Sequence, residues 1–270
     1  MRGVTSSYSE EQHLQSGATH VALWKNSRKI AFTLAEVLIT LGIIGVVVLL
    51  TAPWVLQYYQ KKLAVEHLKA TYSIIFQAFE SAKYDYGDIV NWGLDDAYGQ
   101  SQINAKEFTA NFVEKYFIPY VKVTSNYGNT SLKNVNYKSI YNLDNSLDKS
   151  GFTNGVKYII LLSNGSLVAF SLNGACINNG GRYDENGVYH CDTQYVYSNM
   201  TILVDINSFT LPNTYGKDIF LLQIKNNKLE FYAYNNSRSS LLRACSKGSN
   251  ENRCCGALIL LDGWQIKYKW

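Results

Sequence analysis

The chain has 270 residues, of which 47% are apolar and only 17% charged, with a formal net charge of +4. That length can bury a core of ordinary size, and the weak basic balance excludes the strongly cationic profile of a dedicated nucleic-acid binder. Residues 1–31 carry Arg2, Lys25, Arg28 and Lys29 against Glu10 and Glu11, so half of the net charge belongs to that stretch. The 21 tyrosines, with many Asn and Ser, crowd the middle of the chain as in exported proteins with polar surfaces.

In chain order, the first strong signal is Val37–Leu56, about 20 residues without a formal charge. A helix of that length measures roughly 30 Å and matches the apolar thickness of a bilayer. Lys25, Arg28 and Lys29 precede it, and the positive-inside tendency places them in the cytoplasm and exports the C-terminal part of the chain. Lys61 and Lys62 form a weaker positive pair on the far side. Glu36 breaks the apolar logic at the helix edge. A carboxylate deep in a bilayer costs about 2.5–3.5 kcal/mol and usually has a partner. The plain alternative is a Glu36 solvated at headgroup level.

The order Arg28-Lys29-Ile30-Ala31-Phe32-Thr33-Leu34-Ala35-Glu36 resembles the N-terminal signal of type IV prepilins and type II secretion pseudopilins. In that family a basic leader ends in a small residue, then come Phe, a short stretch, Glu, and the apolar helix. The likeness is close over residues 28–60, and Ala31 stands where the family most often has Gly. It implies a leader, 1–31, cut by a prepilin peptidase between Ala31 and Phe32, and N-methylation of the new Phe32 amine. Because that cut precedes the apolar run, the run is kept as an anchor and as the core of a filament, unlike a secretory signal that is removed. It also implies a pilin-like α+β fold: a transmembrane and polymerisation helix (32–56), an amphipathic stalk helix (57–87) and an exported head (88–270) with an antiparallel sheet.

On that reading Glu36 meets the Phe32 amine of a neighbouring subunit and sets register rather than net stability. Gly42 and Gly45 allow close helix approach, and Pro53 bends or loosens the helix; these three read equally as ordinary transmembrane residues. Beyond Pro53, Leu68, Tyr72, Ile75, Phe79, Ala82 and Tyr86 recur at steps of three and four, which predicts one stripe packed on a sheet, capped at Gly87. A second helix is expected at 105–117, opened by a capping box of Asn104 and Glu107 and stopped by Pro119. Residues 120–155 read as a surface loop with little regular structure. Two hairpins are expected, one around Ser163-Asn164-Gly165-Ser166 and one around Lys225-Asn226-Asn227-Lys228. Leu258–Leu261 reads as a late strand. A weaker second resemblance to pseudopilin-like C-terminal regions covers Val204–Asn207, Pro212-Asn213, Gly216–Phe220 and Gly263–Ile266, read as turn and packing elements.

Five cysteines, Cys176, Cys191, Cys245, Cys254 and Cys255, fall in the last 95 residues. Clustered cysteines in an exported chain favour disulfides over a zinc site, whose spacings they do not match. The expected pairs are Cys176 with Cys191 and Cys245 with Cys255, with Cys254 and Cys255 able to exchange roles. Tyr183–Gly187 and Asp192 offer oxygen ligands of the kind calcium uses, but Asp-Glu-Asn-Gly is also an ordinary turn, and that reading is preferred; no cofactor is expected. Past residue 31 only His67 and His190 remain, and no nucleophile or acid–base pattern emerges, so no enzyme is expected. The functional expectation is a pseudopilin-like structural subunit of a type IV pilus-like or type II secretion filament. Its implied partners are the prepilin peptidase, other subunits, the bacterial inner membrane and an assembly platform. The alternative is a minor pilin whose head binds DNA, a surface or a secreted substrate.

Overall fold

The apolar run and the amphipathic stripe join in a single helix, α1 (Leu34–Tyr86), which runs without a break through Pro53. The computed structural model describes residues 33–94, 104–149, 153, 155–176, 181–183, 189–191 and 195–270, with the backbone alone at 174–176, 181–183, 189–191 and 195–198. The chain divides into two units, Met1–Thr51 and Ala52–Trp270. In the first, residues 33–51 are all exposed.

In the second unit α1 changes character. Ala64, Val65, Leu68, Thr71, Ile75, Ala78, Phe79 and Ala82 are buried, at the three- and four-residue steps of one helical face. The stripe ends at Ala82, because Tyr86 stays 42% exposed. Gly87 then closes the helix in the left-handed conformation (φ +79°), its N–H bonded to the Lys83 carbonyl at 2.9 Å. A polar lock sits in the middle of the buried face. Thr71 Oγ1 lies 2.7 Å from Ser166 Oγ and accepts from Asn164 Nδ2 at 2.9 Å, which ties α1 to a hairpin turn of the sheet.

The sheet has six strands, β1 (Val123–Ser131), β2 (Val156–Leu162), β3 (Leu167–Cys176), β6 (Tyr195–Asp205), β7 (Ile219–Lys225) and β8 (Lys228–Phe231), in the order β1-β2-β3-β6-β7-β8. Every neighbouring pair is antiparallel. A small hairpin, β4 (Gly181–Tyr183) and β5 (Tyr189–Cys191), interrupts the meander between β3 and β6. Both expected hairpin turns are present. Gly165 takes φ +86° in the first, and Asn226 and Asn227 take φ +50° and +58° in the second, where two positive φ values match the twist of the strands.

Alternation splits the sheet into two faces. Phe220, Leu222 and Ile224 of β7 join the core that holds α1, while Ile219 and Leu221 join a second cluster on the opposite side. Helix α2 (Ala105–Tyr116) adds Phe112, Val113 and Tyr116 to the first core. Its capping box is formed: Glu107 N donates to Asn104 Oδ1 at 3.3 Å and Asn104 Nδ2 to Glu107 Oε2 at 3.1 Å.

Two expectations are corrected. Residues 120–155 are not a loose surface loop, because Val123–Ser131 pairs with β2 as an edge strand, and Leu132, Tyr137 and Ile140 fill the second core. A polar edge strand shows no apolar alternation, so backbone pairing, not side-chain pattern, makes it a strand. The late strand at Leu258–Leu261 is instead part of helix α4 (Cys255–Leu261), which follows the short helix α3 (Arg238–Ala244). Cys255, Gly256, Ala257, Leu258 and Ile259 are all buried, so the run lacks the polar face that would mark it as helical.

Helix α4 approaches β8 closely because Gly256 has no side chain. A Cβ there would lie 2.4 Å from Phe231 Cδ1. Gly256→Ala is expected to force Phe231 out of its stack with Tyr72 (5.0 Å between ring centroids) and to destabilise the fold by about 1–3 kcal/mol, read in urea denaturation followed by near-ultraviolet circular dichroism.

Candidate functional site

The first unit's helix opens with a reciprocal cap. Thr33 N and Thr33 Oγ1 donate to Glu36 Oε2 at 2.8 and 2.9 Å, and Glu36 N donates back to Thr33 Oγ1 at 3.2 Å. This is a capping box, with Thr33 as the cap and Glu36 three residues on. The carboxylate also faces the positive end of the helix dipole. Glu36 therefore has partners within its own helix before any second chain is considered. Ala31 and Phe32, the expected cleavage and methylation residues, lie outside the described residues.

Past Glu36 the side chains form an uncovered apolar surface. Leu34, Leu49, Leu50 and Trp54 are 79%, 76%, 77% and 71% exposed, and the helix is long and apolar enough to cross a membrane. Thr40 and Thr51 turn their hydroxyls onto the Val37 and Val47 carbonyls, so neither presents an unpaired donor to an apolar surrounding. A Cβ at Gly42 or Gly45 would meet nothing within 4 Å, so both positions are shallow notches on that surface. Pro53 removes one helical N–H without ending the helix.

In the second unit the notable chemistry is a buried acid cluster at the end of β6. Asp205 accepts from Asn207 N and Ser208 N at 3.0 and 2.9 Å through one oxygen, and from the Tyr137 hydroxyl through the other. Asp218 accepts from Thr214 N at 2.5 Å and from Asn207 Nδ2 at 3.2 Å. Burial pushes the Asp205 carboxyl well above the usual range, and Asp218 raises it further; burial pushes Asp218 up to about 7 despite its hydrogen bonds. The segment read from sequence as turn and packing thus contains a carboxyl pair that one-dimensional pattern did not single out. Among the described residues no group of three or more His, Cys, Asp or Glu converges to hold a metal. The calcium candidates Asp184, Glu185, Asn186, Gly187 and Asp192 lie outside the described residues.

The cysteines divide. Cys245 and Cys255 are bonded across a separation of ten residues, with Cα atoms 5.4 Å apart, joining α3 to α4. Cys254 is a buried free thiol, pushed up to about 11 by burial, and donates to the Glu251 carbonyl at 3.2 Å. Cys176 ends β3 and Cys191 ends β5, and their side chains are not among those described.

A family model matches residues 54–270, and its description is a family of unknown function, DUF6613. The chain belongs to this DUF6613 family. No curated protein and no solved structure matches it. The DUF6613 region begins one residue after Pro53 and holds the acid cluster, the disulfide and all of the sheet.

Two predictions arise from this region. Asp218 has a folded pKa above its unfolded value near 4, so its neutral form favours folding at low pH, and that contribution is lost as pH rises through about 7. The melting temperature is expected to fall by roughly 5 °C between pH 5 and pH 8, and Asp218→Asn to flatten that slope. A slope unchanged in the variant contradicts this assignment. Separately, non-reducing peptide mapping is expected to recover Cys245 linked to Cys255, and Cys255→Ser to cost about 3 kcal/mol, the loop-closure value for a ten-residue separation.

Proposed function

We propose that this chain is a pilin-like, non-enzymatic structural subunit, anchored by α1 in the bacterial inner membrane and able to polymerise with other subunits through that helix. The observation that carries the reading is the uncovered apolar surface from Val37 to Leu56, beginning directly after a basic stretch, a small residue, Phe and Glu in the prepilin order. Apolar surface of this extent is covered by lipid, by other helices, or by each in turn. A helix that moves from bilayer to filament needs both kinds of cover, and the Gly42 and Gly45 notches suit helix-to-helix contact.

The α+β layout, a long helix whose second part packs on an antiparallel sheet, is the arrangement expected of a pilin-like head. Glu36 is the residue that separates this proposal from a plain anchor. Both Thr33 bonds fall on Oε2, so an incoming ammonium from the Phe32 amine of a neighbour would complete the carboxylate without breaking the helix cap. The reading carries with it cleavage by a prepilin peptidase after Ala31, methylation of Phe32, and a head held on the outer side of the membrane.

Glu36→Val is expected to leave membrane insertion intact and to abolish filaments seen by electron microscopy, while N-terminal sequencing of wild-type protein from cells begins at Phe32. Filaments at wild-type yield from the variant, or mature protein beginning at Met1 or downstream of Trp54, overturn the proposal.

A further inference from the structure

Directly beyond the apolar run, α1 presents a band of aromatic and basic side chains, and the C-terminal segment folds back against it. Trp54, Tyr58 and Tyr59 are 71%, 63% and 56% exposed, and Trp54 stacks on Tyr58 at 6.2 Å. Lys61 and Lys62 follow within one turn. Two positive-φ residues, Gly263 and Trp264, turn the chain after α4, with Trp264 N bonded to the Ile259 carbonyl at 2.8 Å. The tail is then pinned on both sides. Lys61 Nζ donates to the Tyr268 carbonyl at 2.7 Å, and Trp270 Nε1 donates to the Gly216 carbonyl at 3.1 Å.

Between the helix and the tail lies a hollow of about 370 Å³. Tyr58, Val65, Trp264 and Ile266 give it apolar walls, and three basic residues, Lys61, Lys62 and Lys267, line it against one acidic residue, Glu66. We propose that this hollow binds the phosphate headgroup of an anionic phospholipid in the membrane leaflet that the helix leaves.

Depth, charge and wall chemistry all favour that occupant. Tyr58 and Lys62 lie two and six residues past Leu56, or roughly 3 and 9 Å along a helix, which runs from within the headgroup layer of about 5–8 Å to its outer edge. Exposed Trp and Tyr are characteristic of that layer. A lysine stem lies along apolar surface while its head stays with water or phosphate. The net local charge favours a phosphate, and the walls favour a ligand that brings glycerol and acyl carbon with it; a free phosphate gains nothing from the apolar surface of Val65 or Ile266. Lys61 is partly desolvated, which lowers its pKa, and a neighbouring phosphate offsets that cost. The tail is fixed by its own hydrogen bonds, so the hollow is formed before the lipid arrives.

This inference rests on the membrane reading of α1 but on neither processing nor polymerisation. Full-length protein in neutral detergent is offered equal amounts of phosphatidylglycerol and phosphatidylcholine, and retained lipid is read by native mass spectrometry. Preferential retention of phosphatidylglycerol is expected, weakened about fivefold by Lys62→Gln or Lys267→Gln and lost in the double variant, with Lys225→Gln as an unaffected control. Both substituted lysines are exposed, so the fold is retained. Equal retention of the two lipids, an undiminished preference in the double variant, or equally tight binding of inorganic phosphate overturns the proposal. Recovery of the chain in the soluble fraction without detergent overturns the membrane reading itself, an outcome distinct from each of these.

Discussion

The structure depends on where apolar surface on one helix finds cover. From Ala64 to Ala82 the sheet supplies it, and the helix behaves as an ordinary core element with its buried residues at three- and four-residue steps. From Leu34 to Leu56 the described residues supply none. At about 25 cal/mol for each Å² of apolar surface, a stretch of that length left in water opposes solubility by more than the net stability of a typical domain. The uncovered half is therefore a constraint on environment, and lipid is the environment that meets it without a second chain.

The covered half needs more than apolar contact, because a smooth apolar helix face specifies its position along a sheet only loosely. Thr71 supplies the missing specification. Its buried hydroxyl, which donates to the His67 carbonyl of its own helix, also meets Ser166 and Asn164 in the β2–β3 turn, so a slide of α1 by even one residue breaks both bonds to the turn. At the next residue Tyr72 stacks on Phe231, and the Trp264 ring packs tilted against it. Helix, turn and C-terminal segment are thereby held in one register, and the hollow beside Lys61 inherits its shape from that register.

Much of this was legible in the sequence, for reasons that differ by element. The apolar run, the helix stripe, Gly87, the Asn104 capping box and both hairpin turns are local signals: each depends on residues within one or two turns of one another. The missed parts depend on partners distant in sequence. Strand β1 is polar and becomes a strand only through β2, some thirty residues later. Helix α4 reads as a strand because its surroundings bury it on every side, and only the Gly256 contact with Phe231 explains its close approach. The Asp205–Asp218 pair resembled turn chemistry because each residue taken singly does form a turn; the pairing of two buried carboxyls with Tyr137 needs β6, β7 and the 132–140 segment at once.

The DUF6613 match begins at Trp54, and the parts of the chain on either side of that point are built differently. The head is specified side chain by side chain: a polar lock, a glycine contact, a disulfide, a buried acid pair. The preceding helix is specified mainly by the length and apolarity of its run, with Glu36, Gly42 and Gly45 as the positions where a substitution changes more than hydrophobicity. An anchor requires only the run. A carboxylate at its leading edge, capped by its own Thr33 yet retaining capacity for a further donor, stabilises the helix start, and on the proposed reading its unused capacity serves contact with other helices.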